Sequence, residues 1–440
     1  MSALARYFIR LGSNVAGYDR TSTSLTDQLM REGMNIHFQD DINLVPESFR
    51  DPDHTIIIYT PAIPASHTEL NYFRNKGFKV MKRSEMLGLI ANEKRCIAIA
   101  GTHGKTTISS MVAWIMHNSE KGCNAFLGGI SKNIESNLIA NQNSEFIIVE
   151  ADEFDRSFLH LKPEIALITA IDADHLDVYG DLKNLRETYQ TFVNNIKESG
   201  STILKHDLDL IIRKDINLNR YQLDEPSNYF AGNIKRDGFS YSFDVFTPDG
   251  IIQNLQLGIY GKVNLENAIA AIALCDMVGV NERIIREYIS TYQGVQRRFD
   301  VQIEDESLIY IDDYAHHPEE LRAFIASVRE ARPGKRISGI FQPHLYTRTR
   351  DFADEFAQEL SKLDDVVLLD IYPAREEPLE GISGKLIFEM LTNPGEKVFC
   401  SKEQLFNVIR QIRTDVWLSM GAGDVDELVP SIRETLMERL

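Results

Sequence analysis

The chain has 440 residues, enough for about three domains of ordinary size, which excludes a peptide or a disulfide-stapled miniprotein. Apolar residues make up 43% and charged residues 25%, which excludes a disordered or collagen-like chain. The formal net charge of -18 repels nucleic acid and anionic lipid, so an anionic ligand needs a local basic site. The four cysteines form no C-x-x-C pair, and no apolar run approaches the ~18 residues of a membrane span. We therefore expect a cytoplasmic protein that binds neither nucleic acid nor membrane.

The first segment, residues 1–93, alternates short apolar strands with helical patterns, which is typical of βαβ units. Leu4, Phe8 and Leu11 have helical spacing with no strand before them, so the chain begins in a helix. We therefore expect a Rossmann-like domain that lacks its first strand and the glycine-rich loop after it. Strands are predicted at 14–18, 55–59 and 78–81, and helices at 25–32, 69–75 and 85–92.

Two further blocks follow. The second, 94–299, opens with a strand, a glycine turn and a helix, and two of its later strands end in acidic clusters. From Leu308 strands and helices alternate regularly, which indicates another doubly wound domain, with strands predicted at 308–311, 337–341, 366–369, 398–400 and 416–420. The sequence thus predicts an α/β protein with a truncated Rossmann-like N-terminal domain (1–93), a central domain that opens with a strand, a glycine turn and a helix (94–299) and a Rossmann-like C-terminal domain (300–440).

A glycine turn between the strand at 96–100 and the next helix carries the clearest chemical signal. Backbone N–H groups of such a turn, together with the helix N-terminus, cradle phosphate groups. Lys105 would supply a positive charge and Thr106 a hydroxyl ligand for Mg²⁺. Ile99 stands where the common P-loop has its first glycine, and the alternative is a structural turn with an incidental lysine. The candidate nucleotide-binding residues are Gly101, Thr102, His103, Gly104, Lys105, Thr106 and Thr107.

Two acidic clusters follow predicted strands downstream of this turn, at 150–155 and 172–177. Mg²⁺ prefers carboxylate oxygens and substrate phosphates, and strand ends are where α/β sheets place ligands. Glu150 and His175 are therefore candidate catalytic and metal-binding residues, beside Lys105 as a catalytic residue and Thr106 as a metal ligand. The alternatives are a solvated acidic loop at the first cluster and a structural histidine at the second.

The end of the second block offers further polar candidates. Asn264 and Asn267 have helical spacing at the start of a helix predicted at 264–277, where amides cap the helix or contact a base. Arg298 belongs to an arginine pair that can grip phosphate oxygens, and the alternative is a solvated basic pair.

The third block brings candidates from two strand ends. Asp312, His316 and His317 follow its first strand, and His344 and Arg348 follow its second. Because the carboxyl ends of parallel strands share one edge of a sheet, we expect both groups at a ligand-binding edge. The histidines are predicted to contact substrate.

Together these motifs resemble the Mur ligase family, ATP-dependent amide-forming enzymes of peptidoglycan synthesis. The order and spacing of the motifs cover nearly the whole chain. The resemblance implies an N-terminal domain for the UDP part of the substrate, a central ATPase domain and a C-terminal domain that helps to close the site. It rests on GTHGKTT at 101–107, EADEFD at 150–155, DADHLD at 172–177, GKVNLENA at 261–268, RRFD at 297–300, DDYAHHP at 312–318 and QPHLYTRTRD at 342–351.

The resemblance also implies a reaction. The carboxylate of UDP-N-acetylmuramate takes the γ-phosphoryl group of ATP, and the amine of L-alanine attacks the resulting acyl phosphate, with Mg²⁺ as cofactor. Thr106 and Glu150 would bind one Mg²⁺ and His175 a second. The remaining implied roles are Asn264 and Asn267 near adenine, Arg298 at the phosphates, Asp312 at the ribose, and His344 and Arg348 at the alanine and the reacting carboxylate.

One departure from the family pattern concerns the start of the chain. The family begins with a strand and the loop GIGG-x-GMSA, whereas this chain begins at Met1-Ser2-Ala3, so we expect weak binding of the UDP-sugar diphosphate. Two alternatives remain open. One is a recycling ligase that attaches a tripeptide to the same UDP-sugar, and the other is an inactive relative that binds ATP alone.

Overall fold

The computed structural model describes residues 1–172, 176–237, 240–374, 376–392 and 395–440. The chain divides into two compact units. It contains parallel sheets flanked by helices, and the α/β fold class predicted from the sequence is confirmed. Unit 1 comprises Met1–Asn233, Phe243–Leu255 and Asn267–Tyr292, and unit 2 comprises Ile234–Ser242, Gln256–Glu266 and Gln293–Leu440.

The N-terminal segment of unit 1 carries two parallel two-stranded sheets, β1-β2 and β3-β4. All three predicted strands and all three predicted helices are present. The strand β2 was not predicted, because three residues are too few to show a period. The elements are α1 Ser2–Arg10, β1 Ala16–Tyr18, α2 Ser24–Arg31, β2 Asn35–His37, β3 Ile56–Tyr59, α3 Thr68–Asn75, β4 Lys79–Lys82 and α4 Arg83–Asn92.

A seven-stranded sheet forms the centre of unit 1, with strand order β11-β10-β9-β5-β8-β6-β7. It is parallel except for the antiparallel pair β6-β7. The central strand β5 is buried on both faces, so its sequence is a continuous apolar run rather than an alternating one. The elements are β5 Arg95–Ala100, α5 Lys105–His117, β6 Asn124–Ser131, β7 Ser136–Ile139, β8 Phe146–Glu150, β9 Ile165–Ile168, α6 Leu176–Tyr179, α7 Leu182–Asn194, β10 Ser201–Lys205 and β11 Asn217–Tyr221.

The core of unit 1 joins the N-terminal helices to this sheet. Ala3 and Leu4 of α1 lie in the same apolar cluster as β5, β8 and β9. Arg6, which is buried, forms a two-pronged ion pair with Glu32 at 2.8 Å and donates to Asn137 Oδ1 at 2.9 Å. The first helix is therefore fixed against β7 as well as against its own segment.

A second, smaller sheet with strand order β12-β13-β14 follows, and then two helices. The helix predicted at 264–277 is present and begins two residues earlier. These elements are β12 Phe230–Asp237, β13 Ser240–Thr247, β14 Gly250–Gln256, α8 Lys262–Met277 and α9 Glu282–Ser290.

The C-terminal part of unit 2 is a six-stranded sheet with strand order β15-β16-β20-β17-β18-β19. The five predicted strands are parallel, and the unpredicted edge strand β15 is antiparallel to β16. No helix in the described part of the chain is long and apolar enough to cross a membrane. The elements are β15 Asp300–Glu304, β16 Ile309–Asp313, α10 Pro318–Ala331, β17 Ile337–Phe341, α11 Tyr346–Leu360, β18 Asp365–Leu368, α12 Gly384–Met390, β19 Glu396–Phe399, α13 Lys402–Gln411, β20 Val416–Met420 and α14 Val429–Met437.

Candidate active site

The predicted phosphate loop connects β5 to the N-terminus of α5, as the sequence indicated. Gly101 and Gly104 have φ values of +123° and +80°, a backbone region that favours glycine. A Cβ atom on Gly101 would lie 2.8 Å from the backbone nitrogen of Thr169. A Cβ atom on Gly104 would lie 2.6 Å from Asn267 Oδ1. Both glycines are thus required by conformation and by the close approach of neighbouring elements.

Lys105, the first residue of α5, turns back over this loop. Its ammonium donates to the carbonyl oxygen of Gly101 at 2.7 Å and to both carboxylate oxygens of Glu153 at 2.8 and 3.0 Å. Burial alone would lower the pKa of Lys105, but the carboxylates of Glu153, Asp152 and Glu150 raise it above its usual value. The lysine is therefore a fixed positive charge at the phosphate loop.

Glu150 ends β8 beside the same loop and accepts three hydrogen bonds. Thr106 Oγ1 and Ser109 Oγ each donate at 3.0 Å, and the Gly128 N–H donates at 2.5 Å. Burial raises the pKa of Glu150, although these three donors oppose the shift. Sequence reasoning missed Ser109, whose position three residues after Thr106 puts it on the same face of α5. A half-buried carboxylate beside a threonine hydroxyl is an oxygen donor set that suits Mg²⁺.

Asp172, the first residue of the second acidic cluster, lies next to the phosphate loop. Thr102 Oγ1 accepts from the Asp172 N–H at 2.8 Å, and the His103 ring lies 3.2 Å from the Asp172 carboxylate. The predicted metal ligand His175 lies outside the described residues. Within those residues no cluster of three histidine, cysteine or acidic side chains is arranged to hold a metal ion.

The two predicted asparagines lie on the first two turns of α8. Asn267 faces Gly104 of the phosphate loop and is largely buried. Asn264 is also largely buried and donates from Nδ2 to the carbonyl oxygen of Tyr260 at 2.6 Å. Thr107, the last residue of the predicted loop, is buried in the first turn of α5.

In unit 2, Arg298 and His316 converge on one half-buried carboxylate, Glu320, which was not predicted from the sequence. His316 Nδ1 lies 3.1 Å from Glu320 Oε2, and Arg298 lies 3.6 Å from Glu320 Oε1. Burial alone would raise the pKa of Glu320, but His316 and Arg298 hold it well below its usual value. The Arg298 guanidinium also lies 4.9 Å from the ring centre of Tyr314.

Asp312, at the end of β16, is buried and already has partners. Arg297 Nε lies 3.2 Å from its carboxylate, and Ser419 Oγ donates to it at 2.5 Å. Arg297 also donates to the carbonyl oxygens of Gly421 and Gly423. The glycine turn at 421–423 therefore serves to anchor Arg297.

The remaining histidines occupy the predicted edge of the same sheet. His344 stacks on Tyr372 with 5.8 Å between ring centres, and Arg348 lies 3.5 Å from His344 Nδ1. The His316 and His344 rings are 6.0 Å apart. His317 is the N-cap of α10 and accepts from the Glu319 N–H through Nδ1 at 3.4 Å. The structure thus brings His316, His344 and Arg348 together, with His317 at a helix start beside them.

A polar cluster in the N-terminal segment was missed by sequence reasoning. His37 pairs with Glu69 at 2.8 Å, and His67 pairs with Asp40 at 3.2 Å. The Tyr18 ring lies against both imidazoles, at 5.7 and 4.6 Å. His37 Nδ1 and His67 Nε2 are buried, and neither has a hydrogen-bond partner among the described residues. The cluster lies where β1 and β2 end, the usual ligand edge of a parallel sheet.

Family models match three consecutive parts of the chain. The Mur ligase family, catalytic domain, matches residues 1–95, the Mur ligase middle domain matches 99–275, and the Mur ligase, glutamate ligase domain, matches 297–423. The chain therefore belongs to the Mur ligase family.

Among its relatives are ligases of one particular kind. The UDP-N-acetylmuramate–L-alanine ligase of Parabacteroides distasonis is 46% identical over 442 aligned residues, which cover 100% of this chain and 96% of that one. The ligase of the same name from Porphyromonas gingivalis is 47% identical over 441 aligned residues, which cover 99% of this chain and 96% of that one. The solved structure of MurC from Thermotoga maritima, a UDP-N-acetylmuramate-alanine ligase, matches with a TM-score of 0.81 at 26% identity. The match covers 100% of this chain and 96% of that one. The murein peptide ligase of Psychrobacter arcticus shares the fold, with a TM-score of 0.70 at 21% identity. That match covers 99% of this chain and 96% of the other.

Proposed function

We propose that this protein is an ATP-dependent ligase that joins L-alanine to the lactyl carboxylate of UDP-N-acetylmuramate. The observation that carries the proposal is the position of Lys105 and Glu150, which both lie beside one glycine loop in a chain whose full-length relatives bear that name. The carboxylate attacks the γ-phosphorus of ATP and gives an acyl phosphate and ADP. The amine of L-alanine then attacks the acyl carbon, phosphate leaves, and the amide is formed.

The phosphate loop and Lys105 act on the transferred phosphoryl group. Such a transfer needs positioning and charge compensation more than covalent help. The Gly104 turn and the first N–H groups of α5 face the phosphates, and the Lys105 ammonium compensates the charge that develops on the γ-phosphoryl oxygens. Thr106 and Glu150 would hold Mg²⁺, which when bound neutralises phosphate charge. For His175 a second metal-ligand role remains a prediction from the sequence.

Residues 101–107 as a whole are proposed to bind the nucleotide, and other elements contribute the following groups. Asn264 and Asn267 would contact adenine, Arg298 the phosphates and Asp312 the ribose. His316, His317, His344 and Arg348 would contact the amino acid and the reacting carboxylate. Arg348 and Arg298 supply positive charge beside carboxylate and phosphate groups, which the acidic surface of the whole chain cannot supply.

The N-terminal segment is proposed to take the UDP part of the substrate. The unpartnered nitrogens of His37 and His67 are polar atoms that a ligand can satisfy at the carboxyl edge of β1 and β2. We accordingly propose domain boundaries at 1–93, 94–299 and 300–440. The cytoplasmic location expected from the sequence stays a prediction.

The deciding experiment measures ADP release by the purified protein with ATP, Mg²⁺ and UDP-N-acetylmuramate, with and without L-alanine. Alanine-dependent release supports the proposal. Release that depends instead on the tripeptide identifies the recycling ligase. ATP binding by calorimetry, without UDP-sugar binding or any ADP release, identifies the inactive relative. Excess EDTA should abolish turnover, and added Mg²⁺ should restore it.

A further inference from the structure

Glu153 has no role in the chemistry described so far, yet it is the carboxylate that holds Lys105. It belongs to the acidic loop, residues 151–156, which follows β8. Its side chain is only 1% exposed, and both of its oxygens accept from the Lys105 ammonium. A buried carboxylate paired with a lysine in this way is oriented as well as neutralised.

The acidic loop is itself fixed in place. The backbone carbonyl of Glu153 accepts from the Tyr179 hydroxyl and, at 2.9 Å, from the Arg156 N–H. Asp155 and Arg156 both have positive φ, 53° and 54°, which closes the loop into a tight turn. Asp155 then pairs with Lys82 at 2.7 Å. The loop therefore presents the Glu153 carboxylate from a defined position.

The geometry of the ammonium indicates how it can act. A lysine ammonium has three N–H donors. One is directed to the Gly101 carbonyl oxygen, and the others are divided between the two Glu153 oxygens. If one N–H turns to a phosphate oxygen, the ammonium loses only one of its two contacts with Glu153. The second Glu153 contact and the Gly101 contact still orient the nitrogen.

We infer that Glu153 is a positioning residue that fixes the Lys105 ammonium over the phosphate loop and shares it with the γ-phosphoryl group during transfer. The inference rests on the proposed function. A donor that is already oriented stabilises the transition state without reorganisation. Without Glu153 the lysine side chain is free to rotate, so it still attracts the phosphates of bound ATP but is no longer aimed at the transition state.

The test compares Glu153→Gln, which keeps one acceptor oxygen, with Glu153→Ala, which keeps none. We expect kcat to fall about 10-fold in Glu153→Gln and about 100-fold in Glu153→Ala, with the KM for ATP unchanged or lower in both. Glu145→Gln is the matched control: Glu145 precedes β8 at the end of the strand away from the phosphate loop, and its carboxylate is 64% exposed and accepts from Arg95 at 2.9 Å. We expect that variant to stay within twofold of the parent.

Two results would overturn the inference: a kcat for Glu153→Ala within twofold of the parent, or a loss of kcat matched by an equal rise of the KM for ATP. A second measurement does not depend on turnover. Acylation of Lys105 by an N-hydroxysuccinimide ester, quantified by mass spectrometry, should be at least fivefold faster in Glu153→Ala and unchanged in Glu145→Gln. If the parent protein releases no ADP, the proposed function fails, and equal labelling in all three proteins would overturn the positioning role independently.

Discussion

Replacing Lys105 by methionine should affect stability and activity through two separate effects. The substitution keeps most of the apolar stem but leaves the Glu153 carboxylate, 1% exposed, without its ammonium partner. Removing one member of a buried ion pair costs about 3–5 kcal/mol. The lower end of this range applies because the Lys105 side chain is 16% exposed, so solvent partly screens the pair. We therefore expect the free energy of unfolding to fall by about 3 kcal/mol.

The activity should fall far more than the stability can explain. Loss of one donor to a developing oxyanion costs about 10²–10³ in kcat, and a full charge at a phosphoryl group is worth at least as much. We expect alanine-dependent ADP release by Lys105→Met to drop at least about 1000-fold. The double variant Lys105→Met/Glu153→Gln should regain most of the lost stability but none of the activity, because it removes the unpaired charge without restoring the ammonium.

The assays are urea denaturation, followed by circular dichroism and tryptophan fluorescence, and ADP release at saturating substrates. Lys82→Met is the matched control, because the Lys82–Asp155 pair is a lysine–carboxylate pair whose side chains are 35% and 32% exposed. An exposed pair is worth at most about 1 kcal/mol. An equal loss of stability in both single variants would refute the buried-pair reasoning, and near-normal turnover in Lys105→Met would refute the assigned role of the lysine.

Three further predictions concern other parts of the chain. Gly101→Ala should weaken ATP binding at least 100-fold in calorimetry, since its Cβ would meet Thr169. Gly334→Ala, with a φ of +74° and open space at its Cβ, should keep full affinity and lose only about 1 kcal/mol of stability. Glu320→Gln should lower the free energy of unfolding by about 2 kcal/mol at pH 7. That difference should begin to shrink as the pH falls below about 4.3, the pKa of an unfolded glutamate, and it should be lost only as the pH falls through the lowered pKa of folded Glu320. A difference that is constant down to about pH 3 would contradict this prediction. His67→Phe should weaken UDP-N-acetylmuramate binding about 10-fold in calorimetry and leave ATP affinity intact, and an equal loss of both would contradict the assignment of the N-terminal cluster.

Local sequence sufficed where one short segment carries both the structure and the chemistry. The phosphate loop is such a case: an apolar strand, two glycines, a lysine and a threonine adjoin in the chain, so their arrangement follows from strand, turn and helix geometry. The parallel strands of the C-terminal sheet could also be predicted from local sequence, because each of them is a short apolar run next to a helical pattern. Both groups of polar residues predicted at its edge lie there.

Other features depend on residues far apart in the chain. Glu153 binds Lys105 across 48 residues, and Glu320 pairs with Arg298 across the two strands β15 and β16. The antiparallel edge strand β15 and the histidine cluster at His37 and His67 were likewise missed. The strand β2 beside this cluster has only three residues, and the edge strand β15 does not alternate strictly between buried and exposed residues. Each histidine is a single polar side chain, so none of these features shows a regular period in the sequence.

By itself, then, the sequence determined the fold class, the family and the phosphate loop, because each is encoded in contiguous or regularly spaced residues. Only the tertiary structure decided which carboxylate holds Lys105, that Ser109 joins Thr106 on Glu150, and that Arg297 rather than solvent faces Asp312. The physical reason is that buried polar groups must find partners. Which partner each finds depends on the packing of whole elements, which no local pattern records.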